Sequence, residues 1–176
     1  DGGYIFCGIT YSTDGDVIGG TGIKEGWIVK LNSNGTIQWQ KIIANSEVRS
    51  IIESNDGGYV VTGQTNALFE NIYITKIDLT GNTVWSHTYG GSQNDYSTCV
   101  INTNDGGYIL SGTTNSTNGN ISFNHGLRDA WVIKVDNLGI IQWEKTYGGS
   151  QDDTAKKKKK TFDGGYILCA QSSSND

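Results

Sequence analysis

The tetrapeptide Asp-Gly-Gly-Tyr occurs four times in 176 residues, at Asp1 to Tyr4, Asp56 to Tyr59, Asp105 to Tyr108 and Asp163 to Tyr166. Each copy leads into two apolar residues, a small residue, and then Gly8, Gly63, Gly112 or Ala170; successive copies lie 55, 49 and 58 residues apart. A period of this length marks one supersecondary unit used repeatedly, whose apolar faces are buried only by its neighbours. The repeats run over approximately 1-55, 56-104 and 105-162, with a truncated copy over 163-176.

Within each full unit an aromatic residue opens a second apolar segment, Trp27-Ile-Val-Lys, Tyr73-Ile-Thr-Lys and Trp131-Val-Ile-Lys, and a tryptophan follows twelve residues later at Trp39, Trp85 and Trp143. Between the two aromatics lies a polar cluster ending in glycine, Leu31 to Gly35, Ile77 to Gly81 and Val135 to Gly139. It reads as a hairpin turn, with glycine supplying the positive φ that such turns require. The Asp-Gly-Gly segment is a second turn, set between Ser50-Ile51-Ile52 and Tyr59-Val60-Val61 in one unit and between Cys99-Val100-Ile101 and Tyr108-Ile109-Leu110 in the next. Each unit therefore carries four short strands. Twenty-five glycines without a single proline or methionine suit such a chain of strands and turns. The predicted class is all-β, built of four-stranded antiparallel blades of a β-propeller, in which the repeated tryptophans pack between blades.

The formal charge is −5, and without the five consecutive lysines Lys156 to Lys160 it falls to −10, which argues against nucleic acid as a partner. No apolar run approaches the roughly 20 residues of a membrane-spanning helix. Cys7, Cys99 and Cys169 show neither disulfide-framework nor zinc-ligand spacing and are read as free structural thiols.

Tyr89-Gly-Gly-Ser-Gln-Asn-Asp95, the Asp105-Gly-Gly-Tyr-Ile-Leu-Ser-Gly-Thr-Thr strand and Trp131-Val-Ile-Lys-Val-Asp resemble the repeats of seven-bladed β-propellers in secreted and cell-surface proteins of bacteria and archaea. That resemblance covers nearly the whole chain. It implies that the strand before each Asp-Gly-Gly turn is innermost, that the segment ending in Trp39, Trp85 or Trp143 is outermost, and that the modules are scaffolds or adhesins rather than enzymes. Ile77-Asp-Leu-Thr-Gly-Asn-Thr-Val-Trp85 is also similar, in blade architecture alone, to quinoprotein propeller repeats.

About three and a half blades are expected of a larger propeller of seven or eight. The fourth copy stops at the position matching Asp14, inside a loop that the first and third units share, and the chain opens without an initiator methionine, so a fragment cut mid-blade is expected. Further blades of the same polypeptide, or a second copy, would then complete the ring. Aligning Asp95 to Asp105 with Asp153 to Asp163 sets Lys157, Lys158 and Lys159 opposite Cys99, Val100 and Ile101 on the innermost strand. Burying an unpaired ammonium costs several kcal/mol, so a placeholder assignment is the first reading of the run, with a basic channel lining and a disordered insertion as the others.

Asp14 and Asp16, with Glu25 later in the same loop, are hard oxygen donors of the type calcium takes, although the equivalent loop carries Asn118 and Asn120. No other cofactor is expected. The Gly90-Gly91-Ser92 and Gly148-Gly149-Ser150 segments lack the lysine and helix of a phosphate loop and are strand connectors. His87 and His125 have no catalytic partner at a recognisable spacing, and no catalytic residue is assigned. Asn34, Asn115 and Asn120 head glycosylation sequons. The expected function is a non-enzymatic structural or adhesive module of an extracellular or cell-surface assembly, with protein partners. The alternatives are a carbohydrate-binding propeller using the loops Tyr11 to Gly26 and Thr113 to Asp129, with Tyr11 and Phe123 as platforms, and a quinoprotein or polysaccharide-active enzyme.

Overall fold

The computed structural model describes residues 2–175, and among them there are strands and no helices. In chain order the strands are β1 (Tyr4–Thr10), β2 (Glu25–Leu31), β3 (Ile37–Ile43), β4 (Ser46–Glu53), β5 (Tyr59–Thr65), β6 (Ile72–Ile77), β7 (Thr83–Tyr89), β8 (Asp95–Asn102), β9 (Tyr108–Thr114), β10 (Asp129–Val135), β11 (Ile141–Tyr147), β12 (Asp153–Lys160) and β13 (Tyr166–Ser172). They form four antiparallel sheets: β1-β2-β3, β4-β5-β6-β7, β8-β9-β10-β11 and β12-β13.

The sheet frame is offset from the sequence repeat by one strand. The second, third and fourth sheets each begin with the strand that precedes an Asp-Gly-Gly turn, so β4 joins β5 and not the β3 that lies two residues before it. The strands β4, β8 and β12 pack side by side, and β4 also touches β1 and β2. The sheets therefore converge along these first strands. Each of the three carries a bulge at the same level, between Val48 and Ser50, Ser97 and Cys99, and Ala155 and Lys157, which turns Arg49, Thr98 and Lys156 out of register.

The outer hairpins are set locally. Asp78 Oδ1 accepts the N–H groups of Thr80 and Asn82 at 2.8 and 2.9 Å, Asp136 does the same for Leu138 and Ile140, and Asn32 for Asn34 and Thr36. Gly35, Gly81 and Gly139 close these turns at φ +86°, +89° and +81°, a region that a side chain disfavours. Bonds from Thr80 and Asn82 hold the Asp78 carboxyl down at about 2.

Two apolar layers fill the gaps between sheets. Ile28, Val48, Tyr59, Val61, Tyr73 and Ile77 pack between the first and second sheets, while Val60, Ile72, Ile74, Val100, Tyr108, Leu110, Trp131 and Ile133 pack between the second and third. Strand alternation explains the division, because Val60 and Val61 point to opposite faces of one sheet. A sheet in the middle of the stack is thus apolar on both faces.

The lysine run extends β12 and is not an inserted loop. Lys158 takes the place that Val100 has in β8, pairing with Leu168 as Val100 pairs with Leu110, and its Nζ donates to the Cys99 carbonyl at 2.9 Å. Desolvation lowers the Lys158 ammonium to about 7. Lys157 and Lys159 alternate to the other face and are exposed, so the expected conflict of three buried ammoniums reduces to one half-buried side chain.

Candidate functional site

The repeated residues first form a set of seats between sheets. The Trp39 indole N–H donates to the Leu79 carbonyl at 2.9 Å, and its ring covers Gly81 so closely that a Cβ there would meet ring carbons at 3.0 Å. Trp85 stands the same way over Gly139 of the third sheet, where a Cβ would come within 2.9 Å of the indole and 2.5 Å of His87. His87 Nε2 lies 2.9 Å from the Leu138 carbonyl and completes this seat. Trp39 and Trp85 are therefore packing residues, as the repeat suggested.

The series is open at both ends. Gly35 has the same backbone conformation, yet nothing lies within 4 Å of a Cβ placed on it. Trp143 is the third tryptophan of the series and is 43 % exposed. It lines a cleft of ≈ 350 Å³ together with Ile109, Val132, Tyr147, Lys158, Tyr166, Ile167 and Leu168. Tyr4, Phe6 and Ile9 on β1 are exposed as well.

A second set of repeated contacts joins the Asp-Gly-Gly turn to the lysine of the Ile-Val-Lys segment. Buried Lys76 pairs with Asp56 and donates to Ser54 Oγ at 2.6 Å; that hydroxyl shares a 2.7 Å hydrogen bond with Tyr108 of the next sheet. Lys134 pairs with Asp105 at 2.9 Å and reaches the Val135 carbonyl at 2.9 Å. The Asp56 carboxyl is lowered by its bonds to Lys76 and Ser54, and bonds from Thr103 and Lys134 hold Asp105 at about 2. No local motif joins these residues in the sequence. The signal was present: a lysine and an aspartate recur at fixed places in every full unit, and a lysine in an otherwise apolar strand requires a partner.

The Tyr-Gly-Gly-Ser segments connect sheets, as expected. Asp95 at the start of β8 accepts the Gly91 N–H at 2.9 Å and the Ser116 hydroxyl at 3.0 Å, and Asp153 at the start of β12 accepts the Gly149 N–H at 2.8 Å. Burial raises the Asp95 carboxyl in spite of these donors.

The calcium candidates do not converge. Asp14 and Asp16 are exposed, whereas Glu25 is buried at the start of β2 and accepts the Thr21 N–H at 2.8 Å. No group of three or more His, Cys, Asp or Glu side chains is placed to hold a metal ion among the described residues. Asn34 lies exposed at a hairpin tip, Asn120 is exposed with its Oδ1 on the Gly90 N–H, and Asn115 is half-buried with its Nδ2 3.4 Å from the Leu127 carbonyl. His125 Nδ1 lies 2.6 Å from Asp129 and its ring meets Phe123 edge-on. Tyr11 and Phe123 are exposed on their loops. Cys7, Cys99 and Cys169 are free, and burial pushes the Cys7 thiol up to about 11.

No protein-family model and no curated protein sequence matches the chain. Among solved structures it is similar to a protein of unknown function from Bacteroides caccae, with a TM-score of 0.54 and 12 % sequence identity. The alignment covers 82 % of this chain and 48 % of that one, so this chain spans about half the length of its structural relative. The likeness is one of fold. No helix among the described residues is long and apolar enough to cross a membrane.

Proposed function

We propose that this chain is a stretch of β-propeller blades serving as a non-enzymatic structural or adhesive module of an extracellular or cell-surface assembly, completed by further sheets of the same repeat. The observation that supports this reading is the pair of unfilled seats. Gly35 is a vacant tryptophan seat on the first sheet, and Trp143 is an unseated tryptophan on the third, while the two seats between them are occupied. A stack whose neighbour contacts are all of one kind gains stability from each added unit, in the manner of other repeat proteins. Apolar strand faces left at the ends are interaction surfaces by the same physics. The convergence of β4, β8 and β12 favours a radial arrangement of the sheets over a flat stack. Placement at a cell surface rests on the repeat resemblance.

Extending the chain after residue 176 with a copy of residues 119–147, its two tryptophans replaced by phenylalanine, supplies the outer hairpin that the fourth sheet lacks. The expected results are a blue-shifted tryptophan emission as Trp143 is covered, less binding of an apolar dye, and a higher midpoint of thermal unfolding. An extension that folds but leaves emission, dye binding and midpoint unchanged overturns the reading.

A further inference from the structure

A polar groove of ≈ 380 Å³ opens where the first strands of the second, third and fourth sheets converge, lined by Arg49, Gln64, Tyr96, Thr98, Thr113, Arg128 and Thr154 among others. Its volume lies within the range of small-molecule sites, ~300–1,000 Å³. The two arginines differ. Arg49 is bound to Glu47 and donates from Nε to Gln64 Oε1 at 3.3 Å, and Glu47 also takes Lys24. Arg128 is half-buried, its Nε is sealed from solvent without an acceptor, and its contact is the Tyr96 ring, 5.9 Å from the guanidinium carbon.

A guanidinium N–H sealed from water without an acceptor is costly and requires an explanation. The nearby carboxylates do not supply one: Asp129 and Asp153 bond through Oδ2 to His125 and to Gly149 and Ser174, and although each keeps a buried Oδ1 without a partner, neither pairs with Arg128. The planar fork of an arginine is matched by the two oxygens of a carboxylate. Around it the wall is rich in hydroxyl-bearing residues: Thr98 is committed to the Ser111 carbonyl, and Tyr96, Thr113 and Thr154 also line the groove. A row of hydroxyls beside a cationic fork pairs with a ring that carries vicinal hydroxyls and one carboxylate. Lys156, at the bulge equivalent to those of Arg49 and Thr98, adds a positive charge on the neighbouring strand.

We infer that this groove recognises the carboxylate of an acidic sugar, with Arg128 as the carboxylate anchor and Tyr96, Thr113 and Thr154 as hydroxyl contacts. The inference goes beyond the structural role proposed above and does not depend on it, because every lining residue lies within the described sheets and their connections.

The test is calorimetric titration of the protein with galacturonate, and with galactose and acetate as controls. Galacturonate is expected to bind with a Kd on the order of 1 mM, typical of a single small ring, and at least tenfold more tightly than either control. Arg128→Gln is expected to weaken galacturonate about tenfold, the loss of one charged hydrogen-bonded contact. If that variant does not fold, Arg128→Lys, which keeps the charge and loses the fork, and Thr154→Val carry the test with the same direction. No binding of galacturonate by the wild-type protein, acetate or galactose binding as tightly, or folded variants with unchanged affinity each overturn the inference.

Discussion

Tyr59 on β5 and Tyr108 on β9 are 3 % and 0 % exposed, whereas Tyr4 on β1 and Tyr166 on β13, at the same place in the repeat, are 63 % and 38 % exposed. The same holds one residue further on, where Val60 is sealed between sheets and Ile167 is 61 % exposed. The four strands share a sequence, Tyr followed by two apolar residues, a small one and a small turn-compatible one, and all four form the second strand of a sheet or its equivalent. What differs is the neighbour. The apolar strand is a core element only where a sheet covers each face, and at the ends of the stack it is a surface.

That comparison is tested most sharply by truncating the tyrosines. Tyr108→Ala removes a buried ring and the hydroxyl bonded to Ser54, and is expected to cost about 3–4 kcal/mol in urea unfolding; Tyr166→Ala is expected to cost less than about 1 kcal/mol. Equal losses would mean that the last sheet is covered in solution. The glycine seats give a second contrast. Gly139→Ala adds a clash with Trp85 and His87 to the strain of a positive φ and is expected to cost about 2–3 kcal/mol, while Gly35→Ala meets only the strain, about 1 kcal/mol.

Lys158 reverses the sign. Lys158→Val restores the residue type of Val100 and is expected to stabilise the protein by about 1–2 kcal/mol. The folded ammonium titrates at about 7 and the unfolded one near 10.4, so between those values the unfolded chain binds more protons and wild-type stability rises with pH. Urea midpoints measured from pH 7 to 10 are expected to climb in the wild type and to stay flatter in the variant. The smallest effect is expected from the turn carboxylates. Asp105 is held at about 2 when folded, so its contribution is present above its unfolded value near 3.9 and is lost as pH falls through that value towards 2. Because Asp105 is more than half exposed, solvent screens most of that contribution, and Asp105→Asn is expected to flatten the acid limb of the stability curve only slightly.

Much of the architecture was legible in the residues. The polar turns closed by Gly35, Gly81 and Gly139, the Asp-Gly-Gly turns and the apolar alternation placed every outer hairpin, because the hydrogen bonds that make them lie within a few residues, as at Asp78 and Asp136. The site was less legible. Asp14, Asp16 and Glu25 are near in sequence, but Glu25 turns inward at the start of β2 while the loop carries the other two outward, and proximity in the chain did not become proximity of oxygens. Arg128 carried no motif at all. Its importance comes from Tyr96, two strands away in its own sheet, and from Thr154 on the fourth sheet, both distant in the chain.

The amino-acid sequence by itself determined the all-β class, the unit of repetition and the hairpins, since turn chemistry and side-chain alternation act over short stretches of chain. Tertiary structure decided the rest. Only two residues separate β3 from β4, yet β4 pairs with β5 across the Asp-Gly-Gly turn, and its Val48 and Ile51 face the first sheet while Ile52 faces the third. Which strands share a sheet, which copy of one sequence is core and which is surface, and which arginine lacks a partner all follow from burial between sheets, and burial depends on neighbours that a single repeat does not contain.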